Sequence, residues 1–128
     1  NGGMFEGRRL VSARSLAETH APNMFNRLTE TQRDLQPEFT QTTYGLGWSI
    51  NHYRGEMLVM HAGVLNGFRA LVTMVPRLKL GFVILANLNG TNLPEALTNT
   101  LLDEYLDLPK SRNWNEHMLA ASKRSEER

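Results

Sequence analysis

Few residues in this chain have chemistry to offer, and most stand in patterns that make no common site. The histidines are His20, His52, His61 and His117, and no two lie three or four residues apart. A helix presents two ligands to one metal only at such spacings, and Glu116-His117 lacks the second histidine of a zinc-protease helix, so no metal site is expected. Cysteine is absent, which removes disulfides, thiolate ligands and a cysteine nucleophile. No serine stands in a Gly-x-Ser-x-Gly turn or a Ser-x-x-Lys pair. Ser12 and Ser15 are expected to open a helix, because their hydroxyls accept the N–H groups left orphaned there. Gly45-Leu46-Gly47 has no helix behind it whose amides and dipole would hold an anion. These glycines are expected to allow close packing against Trp48. No cofactor is expected.

One segment remains. His61-Ala62-Gly63 closes a strand-like run and is followed by Val64-Leu65-Asn66-Gly67-Phe68. Gly63 would let a ligand approach the backbone without meeting a Cβ. On an edge strand, free N–H and C=O groups here would pair with an extended peptide. An imidazole holds charge or passes a proton near neutral pH. His61 also fits a plain surface position at a strand end, and the local pattern leaves both readings open.

The elements that must position this segment follow from the pattern of apolar and turn residues. The chain has 128 residues, 41% hydrophobic and 21% charged, with a formal net charge of +1. That suits one ordinary domain or part of a larger one, and gives no electrostatic case for nucleic acid. No apolar run reaches the ~18 residues of a membrane span, and no signal peptide opens the chain. Asn1-Gly2-Gly3 leads straight into Met4-Phe5 with no initiator methionine, as in a chain entered midway. A short helix is expected after Ser12, stopped by Pro22. Residues 21–43 read as a long polar connection with one helical turn around Arg27–Leu35. Four strands are predicted: Tyr44–Tyr53, Glu56–His61, Phe68–Val75 and Leu80–Ala86, with turns at Arg54-Gly55 and Asn66-Gly67. Their short connections require antiparallel neighbours. Leu80–Ala86 is apolar on both faces and is expected inside the sheet, covered on both sides. A helix is predicted over 93–108, capped by Asn92 with Glu95, its Leu97, Leu101, Tyr105 and Leu108 face on the sheet. Residues 109–128 read as a linker or interdomain segment, in which the i, i+4 pair Trp114 and Met118 would suit an amphipathic helix.

His61-Ala-Gly-Val-Leu-Asn-Gly-Phe68, then Met74-Val-Pro76, Leu80-Gly81 and Leu85-Ala-Asn87, resembles the C-terminal half of the serine β-lactamase and penicillin-binding-protein family. The likeness is greatest to class C β-lactamases and their esterase and D-aminopeptidase relatives. Tyr44-Gly-Leu-Gly-Trp48 is similar to the strand before this region in the relatives with a histidine triplet, and Gly2–Phe5 and Leu10–Ser12 resemble the family's lead into it. The similarity covers roughly residues 1–108.

The resemblance implies an α+β fold: an antiparallel β-sheet with flanking helices, as the C-terminal part of a three-layer β-lactamase/D,D-peptidase-like domain. It implies a metal-free serine hydrolase that forms an acyl-enzyme on an ester, amide or peptide. His61 would take the first place of the family's Lys-Thr-Gly-like triplet as a catalytic residue. Ala62 and Gly63 would line the substrate, and Ala62 lacks the hydroxyl that would bind a substrate carboxylate. The Val64 N–H would be one oxyanion donor. Histidine in the first place points to an esterase or peptidase. The family's Ser-x-x-Lys and Tyr-x-Asn motifs are missing from this sequence and normally lie upstream. The chain alone is therefore expected to be inactive, with the N-terminal part of the same domain as its partner. Neither nucleic acid nor a membrane span is expected, and a secreted or periplasmic parent fits the family. The rival reading is a non-catalytic peptide-binding or structural module that uses the exposed sheet edge.

Overall fold

Turns with left-handed backbone organise the sheet. Arg54 (φ 50°) and Gly55 (φ 91°) form the positive-φ pair of a tight hairpin turn, and Gly67 (φ 81°) closes the next one. The computed structural model describes residues 2–110 and 112–127. Its strands are β1 (Met4–Phe5), β2 (Arg8–Arg9), β3 (Met24–Phe25), β4 (Phe39–Tyr44), β5 (Ser49–Tyr53), β6 (Glu56–Leu65), β7 (Phe68–Val75) and β8 (Leu80–Ala86). Its helices are α1 (Ala13–Thr19), α2 (Glu30–Leu35), α3 (Leu93–Tyr105) and α4 (Trp114–Glu126). β1 and β2 pair as a small hairpin, while β3 to β8 form a six-stranded sheet in sequence order. The short connections make it antiparallel, so the fold is α+β with helices flanking an antiparallel sheet.

By contacts the chain divides into two units, residues 1–27, 38–61 and 74–81, and residues 28–37, 62–73 and 82–128. In the first unit, Ser12 caps α1 by accepting the Ser15 N–H at 2.9 Å. The helix ends at Thr19, before Pro22, with His20 as its C-cap. Met24 pairs with Tyr44, Tyr44 with Ser49 and Ser49 with Met60, which carries the register across β3 to β6. Two expectations are corrected here. The polar connection over 21–43 contains β3 and β4. β4 is Phe-Thr-Gln-Thr-Thr-Tyr, and its one buried side chain is Thr43, so no apolar alternation marks it. The strand expected over Tyr44–Tyr53 is interrupted: residues 45–48 form the β4–β5 turn, closed by Gly45 N–H donating to Trp48 O at 2.7 Å. Ile50, Tyr53, Leu58, Val59, Met60 and Val75 are the buried apolar core of this unit.

In the second unit, α2 is held by a capping box between Thr29 and Gln32. Asn113 caps α4 by accepting from the Asn115 and Glu116 amides. Trp114, Met118 and Ala121, at i, i+4 and i+7, form its buried stripe, and α4 packs on α3 and α2. The cap of α3 differs from expectation. Asn92 stands at the N-cap, but its side chain donates to Ser122 Oγ at 2.8 Å, and Glu95 pairs with Arg69. The buried face of α3 also differs. Ala96, Thr98, Asn99, Leu102 and Asp103 are buried, whereas Leu97 is 42% and Tyr105 61% exposed. Polar partners decide this: Asn99 donates to Gln36 at 2.7 Å, and Asp103 accepts from the Trp114 indole at 2.7 Å. β8 is the last strand in the order and alternates between half-buried and exposed residues. Val83 and Leu85 are 60% and 76% exposed, so the expectation of an interior strand covered on both faces does not hold in this chain.

Candidate functional site

Of the four histidines, His61 is the exposed one; His20, His52 and His117 are half-buried. His52 lies on β5 opposite Met57, and its Nδ1 is buried without a hydrogen-bond partner. The His117 Nε2–H donates to the Asp34 carbonyl at 2.7 Å. His61 sits on β6 just beyond Met60, the last β6 residue paired with β5. Its Nδ1 lies 2.6 Å from the Gly47 carbonyl. A carbonyl only accepts, so Nδ1 carries the proton and donates it. That leaves Nε2 as the nitrogen able to gain or lose a proton.

The turn that presents this carbonyl is tightly fixed. Gly47 has φ 83°, a conformation that favours glycine. A Cβ at Gly45 would lie 2.5 Å from the Thr19 carbonyl oxygen and 2.8 Å from that of Ala21. Glycine there lets the turn press on the end of α1, where the Leu46 N–H donates to Thr19 O at 3.1 Å. The close packing expected of both glycines against Trp48 is found at Gly45 alone, and against the α1 terminus, while a Cβ at Gly47 would meet open space. Trp48 meets His61 nearly at right angles, with ring centres 6.2 Å apart. It also meets His20, with ring centres 5.9 Å apart and planes nearly perpendicular. His20 Nε2 is buried without a hydrogen-bond partner, and burial lowers its pKa below the ordinary imidazole value. Sequence reasoning did not assign Trp48 or His20 to the site. The available signal was the Gly-Leu-Gly-Trp run, which gives a turn with one left-handed glycine.

β6 was expected as an edge strand. It is instead fourth of six in the sheet order, and pairing with β5 runs only from Tyr53↔Glu56 to Ser49↔Met60. Backbone groups of alternate residues in a strand point to opposite flanks, and the pair that closes a tight hairpin is hydrogen-bonded. Counting from Glu56, the even-numbered residues of β6 direct N–H and C=O towards the β5 flank. Ala62 and Val64 continue that series past the last β5 pair. Residues 61–65 are all exposed. Gly63 has ordinary strand backbone, and a Cβ there would meet only the Ala70 Cβ at 3.8 Å, so nothing in the chain's own packing demands glycine. Beside it lies a cavity of about 560 Å³ lined chiefly by Gly63, Val64, Leu65, Phe68, Ala70 and Leu85. Arg69 also borders it, but its guanidinium is engaged by Glu95 and by the Thr91 carbonyl. Among the described residues no group of three or more His, Asp or Glu side chains could hold a metal ion, and no helix is long and apolar enough to cross a membrane.

Comparison with known proteins gives a consistent pattern. A family model described as Beta-lactamase matches residues 6–107. The unguisins hydrolase ungD of Aspergillus violaceofuscus is 37% identical over 76 residues, which is 58% of this chain and 13% of that protein. The unguisins hydrolase ungD' of Aspergillus campestris is 33% identical over 85 residues, 62% of this chain and 16% of its own length. Protein flp of Staphylococcus aureus is 38% identical over 52 residues, 41% of this chain and 10% of its own length. The chain thus spans a small part of each curated relative. No solved structure matches it significantly.

Proposed function

This chain belongs to the β-lactamase family, and we propose that it forms the C-terminal part of a serine hydrolase acting through an acyl-enzyme on an ester, amide or peptide. The observation that carries the reading is the outer end of β6. There an exposed imidazole, its Nδ1 held by Gly47 O, ends the β5-paired part of the strand and is followed in sequence by the exposed residues 62–65. Two relatives bear the word hydrolase in their names, which supports the reaction class.

In this proposal His61 supplies a proton or positive charge at Nε2, and the Val64 N–H donates to the oxyanion. An oxyanion donor of this kind contributes ~3–4 kcal/mol to lowering the barrier. Ala62 and Gly63 receive the substrate backbone, and the absence of any internal demand for glycine at 63 supports that role. The nucleophile comes from an N-terminal part of the same domain, because this sequence holds no Ser-x-x-Lys or Tyr-x-Asn. Residues 1–108 belong to the hydrolase domain, and residues 109–128 serve as a linker whose helix α4 is docked on α3. The exposed apolar residues of β8 support a missing part that covers them.

The test is covalent labelling with a fluorophosphonate or slow ester, followed by peptide mass spectrometry. The parent should be labelled once, on the serine of a Ser-x-x-Lys. The 128-residue chain should carry no label. Labelling of Ser12, Ser15 or Ser49 in the chain would overturn the assignment of the nucleophile. A parent that resists all labelling would favour the peptide-binding or structural module.

A further inference from the structure

Contact with His20 helps seat the β4–β5 turn on the end of α1, but the contact of Trp48 with the exposed His61 is not needed for that seam. Trp48 lies in a turn, His61 is exposed, and His20 caps a short helix. Trp48 makes perpendicular ring contacts with both histidines, its plane at 89° to that of His20 and 85° to that of His61. An exposed histidine on a strand normally samples several rotamers and both tautomers. Here Nδ1 lies within 2.6 Å of Gly47 O, and the Trp48 indole contacts the same imidazole.

We propose that Trp48 is a positioning residue for His61: its indole, in contact with both His61 and His20, holds the imidazole so that Nδ1–H stays on the Gly47 carbonyl and proton exchange is confined to Nε2. The proposal rests on the reading of His61 as a catalytic group and adds the device that aims it. Gly47 O accepts the Nδ1–H in both charge states, so this bond survives proton transfer. When Nε2 takes a proton the ring becomes imidazolium; when it releases that proton the same neutral tautomer returns. No ring flip is needed between the two. The perpendicular contact also places a π system beside a ring that alternates in charge. The left-handed backbone of Gly47, which favours glycine, belongs to the turn that presents this carbonyl.

The test is made on the full 128-residue chain by long-range proton–nitrogen NMR of the imidazole rings, which distinguishes the two neutral tautomers. Wild-type His61 should show a protonated Nδ1 and a bare Nε2, the reverse of the preference of free histidine. Trp48→Leu should move His61 towards the Nε2–H form, while the signals of His52 and His117 stay unchanged. Trp48→Phe should restore the wild-type pattern. In the parent, Trp48→Leu should lower the acylation rate by up to ~10²-fold, with little change in KM. A wild-type His61 in the Nε2–H form overturns the proposal, as does a Trp48→Leu chain with an unchanged tautomer. If Trp48→Leu fails to fold, Trp48→Met takes its place: a shift of His61 towards the Nε2–H form in that folded variant upholds the proposal, and an unchanged tautomer overturns it. The NMR result requires no turnover, so it stands apart from whether the parent proves to be a hydrolase.

Discussion

The indole N–H of Trp114 donates to Asp103 Oδ2 at 2.7 Å, and both side chains are buried. This bond joins the first turn of α4 to the last turn of α3. A buried carboxylate needs its donors, because the desolvation cost of the charge is met only by hydrogen bonds. Trp114→Phe keeps most of the ring volume and removes the N–H. It should cost ~1.5–3 kcal/mol, the range for hydrogen bonds to charged groups. Urea denaturation of the two chains measures it. A change within ~0.5 kcal/mol would show that the bond adds nothing to stability.

The second prediction concerns the face of α3. Leu102 is fully buried, while Leu97 is 42% exposed. Leu102→Ala should therefore cost ~2–5 kcal/mol, as expected for a buried leucine cut to a methyl group. Leu97→Ala should stay within ~0.5 kcal/mol. Thermal or chemical unfolding of both variants decides. Equal losses would restore the face that hydrophobic spacing suggests.

That face shows why part of the fold was illegible in the sequence. Leu97, Leu101 and Tyr105 have the helical period, but the buried positions include Thr98, Asn99 and Asp103. Their burial depends on partners distant in sequence, such as Gln36, which accepts from Asn99. Such partners leave no mark on local hydropathy. β4 escaped detection for the same reason, since its buried residue is Thr43, whose hydroxyl donates to the Ile50 carbonyl. The turns at Arg54-Gly55 and Asn66-Gly67 and the Ser12 cap were legible because they are local chemistry. At the site, His61 and its neighbours stand out as a string. The Gly47 carbonyl that fixes the imidazole lies 14 residues away, and only the folded chain brings it there.

His20 gives a pH prediction. Burial lowers its pKa in the folded chain below that of an ordinary imidazole. The unfolded chain therefore binds more protons at this site, and stability rises with pH. The contribution is fully present above the unfolded value. It is lost as pH falls from there through the lowered folded value. His20→Gln removes this titration. Urea midpoints compared at about pH 7.5 and about pH 5 should fall less in the variant than in the wild type. An identical fall in both would exclude His20 as a source of acid sensitivity.

The exposed apolar residues of β8 predict a surface property. Val83 and Leu85 are 60% and 76% exposed, and Val64, Leu65 and Phe68 are also exposed. Contiguous apolar surface of this kind binds hydrophobic dyes and promotes association. The isolated chain should enhance the fluorescence of an anilinonaphthalene dye. The double variant Val83→Lys, Leu85→Lys should reduce that signal without lowering the unfolding midpoint. A monomeric chain that binds no dye would remove the support this surface gives to a missing covering part.

The last prediction tests His61 itself in the parent protein. Its imidazole is exposed, its Nδ1–H is taken by Gly47 O, and its Nε2 is free to exchange a proton. His61→Ala removes that group without opening the core and should leave the unfolding midpoint almost unchanged. Loss of a positioned acid–base group typically costs ~10²–10⁴ in rate, so acylation should fall by that factor. His61→Lys restores a cation near the substrate and should retain more activity than His61→Ala. His52 is the control. It lies on β5 opposite Met57, half-buried. His52→Ala should shift stability more than acylation of the folded enzyme. Stopped-flow acylation with a chromogenic ester, read alongside thermal unfolding, separates these outcomes. If His61→Ala acylates at the wild-type rate, or His52→Ala is the more damaging to acylation, the role assigned to His61 is wrong.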